Sequence, residues 1–130
     1  MKLVHTAYRV GDIERSVAFY ETIGFREYIR LPLRDASMQD IGVNVFMALP
    51  DDGPRLELTH VFGVDRYDIG TGYNHIGVTV DDLDATLERL AAHGIEPEGP
   101  PFEPVENGAR ICFFPDPDGY RVELLENLEL

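Results

Sequence analysis

The stretch His5-Thr6-Ala7-Tyr8-Arg9-Val10-Gly11-Asp12-Ile13 returns later in the chain as His75-Ile76-Gly77-Val78-Thr79-Val80-Asp81-Asp82-Leu83, and this recurrence governs how the rest is read. With His5 laid on His75, Val10 falls on Val80, Asp12 on Asp82, Ile13 on Leu83, Gly24 on Gly94 and Phe25 on Ile95 without a gap. A second match follows in the same order. Asp52-Gly53-Pro54-Arg55-Leu56-Glu57-Leu58 lies over Asp118-Gly119-Tyr120-Arg121-Val122-Glu123-Leu124. Each half therefore opens on a histidine and closes on a glutamate. Self-similarity at one spacing marks a duplicated structural unit.

Each half reads as a strand, a helix and three further strands. Residues 2–10 alternate, which is strand periodicity. Asp12 then offers a carboxylate to the free amides of a helix start, Ile13, Val17, Tyr20 and Ile23 recur at helical spacing, and Gly24 ends the run. In the second half Asp81 or Asp82 is the cap, Leu83, Leu87 and Leu90 form the stripe, and Gly94 is the stop. Strands are expected over 25–31, 41–49 and 55–61, and again over 95–98, 110–115 and 120–126. The halves are then 1–61 and 74–130 within one domain spanning 1–130, with 62–73 as linker. Residues 97–108 carry four prolines and two glycines and read as a surface loop.

Composition narrows the function classes. The 130 residues include 11 basic and 24 acidic side chains, a net charge of −13, which opposes binding to a phosphate backbone and excludes nucleic acid as a partner. The longest uncharged run falls short of the roughly 20 apolar residues a membrane span needs, so no membrane partner is expected. The first ten residues lack the apolar stretch of a signal peptide, and the expected location is the cytoplasm. The single cysteine, Cys112, lies between Ile111 and Phe113 and reads as a buried thiol, not a redox centre.

Successive strand residues point to opposite faces. His5 shares its face with Ala7 and Arg9, and His75 shares its face with Gly77 and Thr79. Glu57 lies opposite Leu56 and Leu58, as Glu123 lies opposite Val122 and Leu124. If the helices cover the apolar faces, His5, Glu57, His75 and Glu123 all point the other way. Two imidazoles and two carboxylates form a donor set of intermediate softness, suited to nickel, cobalt, zinc or iron more than calcium. Six-coordinate geometry would leave two positions open for substrate oxygens. Any one of these residues alone would read as structural or solvated; their repetition at equivalent positions is what points to a metal.

Leu3-Val4-His5-Thr6, Arg9-Val10-Gly11-Asp12, Leu56-Glu57-Leu58-Thr59, Gly63-Val64-Asp65-Arg66-Tyr67, Tyr73-Asn74-His75-Ile76 and Asp116-Pro117-Asp118-Gly119-Tyr120 with Val122-Glu123-Leu124 together resemble the bacterial glyoxalase I (lactoylglutathione lyase) family of the vicinal oxygen chelate superfamily. The resemblance covers nearly the whole chain in order. It implies an α+β fold of paired βαβββ modules forming a concave eight-stranded mixed sheet with helices on the outer face. It also implies a homodimer in which His5 and Glu57 of one subunit and His75 and Glu123 of the other hold one divalent ion, with Ni2+ or Co2+ favoured over Zn2+. The implied reaction converts the hemithioacetal of methylglyoxal and a low-molecular-weight thiol to the lactoyl thioester by proton abstraction and an enediolate. Glu123 is the implied base, with Glu57 its counterpart, and Arg9 and Thr59 are implied substrate contacts.

Two departures bear on the thiol. The family often places an Asn two residues after the Thr of Glu-Leu-Thr, where this chain has Thr59-His60-Val61. The loop before the last strands often offers a Lys with Gly and Thr, where this chain has Glu106-Asn107-Gly108-Ala109-Arg110, so Arg110 is the candidate compensating cation. Glutathione or another thiol therefore fits. The alternatives are an acyl-CoA epimerase of the methylmalonyl-CoA type, a family that commonly has Gln where this chain has Glu57, and a non-catalytic binding or resistance protein of the same fold.

Overall fold

The computed structural model describes residues 1–128. The chain divides into two compact units, Met1–Asp68 and Ile69–Leu130, and the boundary falls inside the stretch expected as linker.

In the first unit β1 (His5–Arg9) leads into α1 (Ile13–Ile23), followed by β2 (Arg26–Arg34), β3 (Asp40–Ala48) and β4 (Arg55–Val61). The sheet order is β1-β4-β3-β2, with β1 parallel to β4 and the other pairings antiparallel. Helix α1 starts where Asp12 accepts a hydrogen bond from the Arg15 amide at 3.0 Å. It ends at Gly24, whose φ of 134° a side chain would strain. Val17, Phe19, Tyr20 and Ile23 are buried on the helix, and Tyr8, Val45, Met47, Leu56 and Leu58 are buried on the sheet. The helix therefore covers the face opposite Glu57, as the alternation requires.

The second unit repeats the plan with β5 (His75–Val80), α2 (Leu83–Ala92), β6 (Ile111–Pro115) and β7 (Arg121–Glu126) in the sheet order β5-β7-β6. Asp82 is the cap, accepting from the Ala85 amide at 3.0 Å. Leu83, Leu90, Val122 and Leu124 are fully buried, again opposite the glutamate-bearing face.

The expectation of eight strands in one sheet is not met. The described residues form seven strands in a four-stranded and a three-stranded sheet, and the segment 95–98 is not a strand. Glu98 donates its amide to Phe113, and Phe102 makes an isolated antiparallel bridge to Ile111. Pro97, Pro100 and Pro101 lack the amides that a continuous ladder needs, so the segment follows β6 without pairing fully.

The Asp-Pro-Asp-Gly-Tyr motif is the turn between β6 and β7. Buried Asp116 accepts from the amides of Asp118 and Tyr120, each at 2.9 Å, and Gly119 takes a φ of 95°. This turn fixes where β7 begins, and hence where Arg121 and Glu123 stand.

Candidate metal centre

Each unit brings one histidine against one glutamate. His5 Nε2 lies 3.2 Å from Glu57 Oε2, and His75 Nε2 lies 3.3 Å from Glu123 Oε1. Register explains the repetition. Ala7 pairs with Glu57 and His5 with Arg55 across β1 and β4, and Gly77 pairs with Glu123 and His75 with Arg121 across β5 and β7. Paired residues share a face, so each glutamate leans one step along the strand toward its histidine. The glutamate side chains are largely buried, at 15% and 16% exposure, while the imidazoles are more open, at 42% and 29%.

A phenylalanine stands behind each imidazole. The His5 and Phe46 rings meet edge-on at 5.5 Å, and those of His75 and Phe113 at 5.1 Å. Phe46 pairs with Glu57 and Phe113 with Glu123, so the same three residue types occupy the same register in both units. Contacts of this kind restrict the ring plane of a histidine. Sequence reading missed the two phenylalanines, although their matching places in the duplicated halves were the available signal.

The surroundings of the two pairs differ. In the second unit Arg121 makes two bonds of 2.8 Å to Glu98, lies 4.1 Å above the Phe113 ring and donates to Asn74 at 3.2 Å. This guanidinium holds the Glu98 carboxyl below the usual carboxylate range. Beside it a cavity of about 400 Å³ is lined by Glu98, Gly99, Pro100, Phe102, Phe113 and Arg121. In the first unit the corresponding Arg55 donates to the Gly53 carbonyl and sits over the Tyr28 ring at 4.8 Å.

The other expected site residues fall as follows. Arg9 and Thr59 are directly paired, on the face of Glu57 and one register step beyond it. Asn44 on β3 extends this row; its Oδ1 is buried and has no hydrogen-bond partner among the described residues. Arg110 is engaged by Glu126 at 3.1 Å and Asp84 at 3.2 Å, and Glu126 also accepts from the Leu83 amide at the start of α2. Its donors are thus spent bracing α2 against the end of β7. Cys112 is buried and free, and burial pushes its thiol up.

The donor chemistry fits a divalent ion of the nickel, cobalt or zinc type: each pair supplies one imidazole nitrogen and one carboxylate oxygen, adjacent and on a partly open face. Each pair is half of the expected set. Among the described residues no group of three or more His, Cys, Asp or Glu side chains converges as a metal site, and none of the helices is long and apolar enough to cross a membrane.

Comparison with known proteins identifies a family over nearly the whole chain. Residues 2–124 match the Glyoxalase/Bleomycin resistance protein/Dioxygenase superfamily. The lactoylglutathione lyase of Haemophilus influenzae is 38% identical over 134 residues, covering 98% of this chain and 93% of that protein. The crystal structure of glyoxalase I from Zea mays superposes with a TM-score of 0.85 at 31% identity, covering 98% of this chain and 45% of that one. The trypanothione-dependent glyoxalase I of Leishmania major superposes with a TM-score of 0.79 at 30% identity, covering 97% and 86%. The chain spans less than half of the Zea mays protein and 35% of an Arabidopsis thaliana relative, but nearly all of the bacterial one. With its duplicated His–Glu pairs and this near-complete match, the chain belongs to the Glyoxalase/Bleomycin resistance protein/Dioxygenase superfamily, among its lactoylglutathione lyases.

Proposed function

We propose that the protein converts the hemithioacetal of methylglyoxal and a low-molecular-weight thiol to the lactoyl thioester, with a divalent ion held by His5, Glu57, His75 and Glu123. The observation that carries this reading is one donor pair built twice, in the same register and at nearly the same separation. Folding stability alone favours neither a histidine nor a glutamate at these half-open strand positions. Ni2+ or Co2+ suits two imidazoles and two carboxylates with room for substrate, with Zn2+ a further candidate. When bound, such an ion would supply Lewis-acid polarisation of two adjacent substrate oxygens.

A pair offers two donors, so a second pair must complete the set. We assign the completing pair to a second copy of the chain: His5 and Glu57 of one subunit face His75 and Glu123 of the other in a homodimer. The duplication makes the two pairs complementary halves of one donor set.

Glu123 is the base in this reading. Its carboxylate takes the proton from the carbon that bears the thioether sulfur and the hydroxyl group and returns it to the neighbouring carbon, while the hydroxyl proton passes to the former carbonyl oxygen, so no atom is gained or lost overall. Glu57 is the counterpart for the opposite stereochemical face. Arg9 and Thr59, one step beyond Glu57, contact the thiol portion. Related proteins are named for glutathione and for trypanothione, and both thiols are candidates here. The lone cysteine, buried and unpaired, accords with a reducing compartment such as the cytoplasm.

The test is to strip the protein of metal, reload it with Ni2+, Co2+ or Zn2+, and follow thioester formation from methylglyoxal with glutathione, trypanothione and smaller thiols. Thioester formation that needs both metal and thiol supports the reading. Consumption of methylglyoxal without a thiol refutes it.

A further inference from the structure

We infer that Asn74 is a positioning residue: its side-chain oxygen holds the proton of His75 on Nδ1 and leaves the Nε2 lone pair facing Glu123. Asn74 Oδ1 lies 2.6 Å from His75 Nδ1 and 3.2 Å from Arg121 Nη1. A guanidinium only donates. The end of the amide that meets Arg121 must therefore be the oxygen, which removes the usual ambiguity between the two ends of an asparagine. An amide oxygen only accepts, so the ring nitrogen beside it must be the donor. In a neutral imidazole the other nitrogen is then an acceptor.

That other nitrogen faces Glu123 Oε1 at 3.3 Å, and a carboxylate is also an acceptor. Two lone pairs this close are satisfied together by a cation. The inference thus rests on the metal reading above and names the ring nitrogen that serves it. Two bonds to Glu98 fix Arg121, which lies over the Phe113 ring, and Phe113 in turn packs edge-on against His75. Asn74 closes the loop between Arg121 and His75.

The first unit has no such device among the described residues. Val4 precedes His5, and Arg55 is turned to the Gly53 carbonyl and Tyr28. The two halves are therefore unequal. The imidazole of His75 is oriented before any ligand arrives, and the His75–Glu123 half is the one that captures the ion first. Outer partners of this kind fix the ring nitrogen that binds and raise affinity.

The test uses protein labelled with 15N in its histidines. The two ring nitrogens of His75 are read in the metal-free wild type, Asn74→Ala and Asn74→Asp at a pH where the ring is neutral, and Ni2+ affinity is then measured by calorimetry. The wild type is expected to show its proton on Nδ1. Asn74→Ala should lose that signature and bind nickel about ten- to a hundredfold more weakly, and Asn74→Asp, which keeps the acceptor, should restore both. A wild-type proton on Nε2, or an Ala variant unchanged in both readouts, overturns the inference. If the proton shifts as expected but nickel does not bind the wild type, the assignment to Asn74 stands and the metal reading fails.

Discussion

Glu123 meets His75 diagonally across β5 and β7, because the residue directly opposite Glu123 is Gly77. The carboxylate leans over a position with no side chain, and a methyl group there would stand 3.5 Å from Glu123 Oε1 and 3.2 Å from Leu125 Cδ1. The first unit places Ala7 opposite Glu57. A small residue at this point of the register is what allows the glutamate to reach its histidine.

Gly77→Ala should therefore be tolerated, since Leu125 can swing aside and the result copies Ala7. Gly77→Val adds bulk under the carboxylate without harming strand propensity, and we expect nickel affinity and turnover to fall at least about tenfold, roughly 1.4 kcal/mol. Calorimetry and thermal unfolding of both variants separate this local displacement from a loss of fold.

Mixed dimers test where the donors come from. A double variant His5→Gln/Glu57→Gln lacks one half of every site, and His75→Gln/Glu123→Gln lacks the other. Each should be inactive alone. Mixed after unfolding and refolding together, they should regain activity, because one of the two sites in a hybrid receives both intact halves. Sites built within single chains would give no recovery.

Arg110 should matter for acid stability more than for substrate. Its guanidinium, followed by the Leu83 amide, holds the Glu126 carboxyl below its usual value of 4.5. A carboxyl lowered in the folded state stabilises the fold above the unfolded value, and that contribution is lost as pH falls through the folded one. Arg110→Met should flatten the decline in melting temperature below about pH 4.5 while leaving KM for the thiol substrate unchanged. A large rise in KM would instead show Arg110 at the substrate.

Much of this was open to reading in the sequence. Asp12 and Asp82 cap the helices where the apolar stripes begin, because capping and helical periodicity are local properties. The faces of His5, Glu57, His75 and Glu123 followed from strand parity. Segment 95–98 follows the second helix where the first unit has β2, which is why a strand is expected there, but Pro97 lacks an amide and its neighbours Pro100 and Pro101 break the ladder. His60 is half-buried, and its ring bonds the Val10 carbonyl at 3.1 Å, a partner 50 residues away that periodicity does not show. Asn74, Phe46 and Phe113 gain their roles only from cross-strand register and from side chains distant in sequence, which parity within one strand does not reveal. The same holds for Arg110, whose partners lie 16 and 26 residues away.

Asn44 gives a stability prediction of opposite sign to most substitutions. Its buried Oδ1 has no partner among the described residues, a condition that costs about 1–3 kcal/mol. Asn44→Leu should raise unfolding stability by about 1 kcal/mol in urea titrations. A less stable variant would show that the amide is satisfied in solution.

Binding of Ni2+ to the metal-free wild type and to His5→Gln, Glu57→Gln, His75→Gln and Glu123→Gln, with turnover followed on the same samples, bears on all four donors at once. One ion per chain is expected in the wild type, with weaker binding in every variant and a loss of turnover on the order of 10²- to 10⁴-fold in Glu123→Gln, where the base is gone. Nickel bound equally well by all four variants, or full turnover by Glu123→Gln, would contradict a metal centre built from these two pairs.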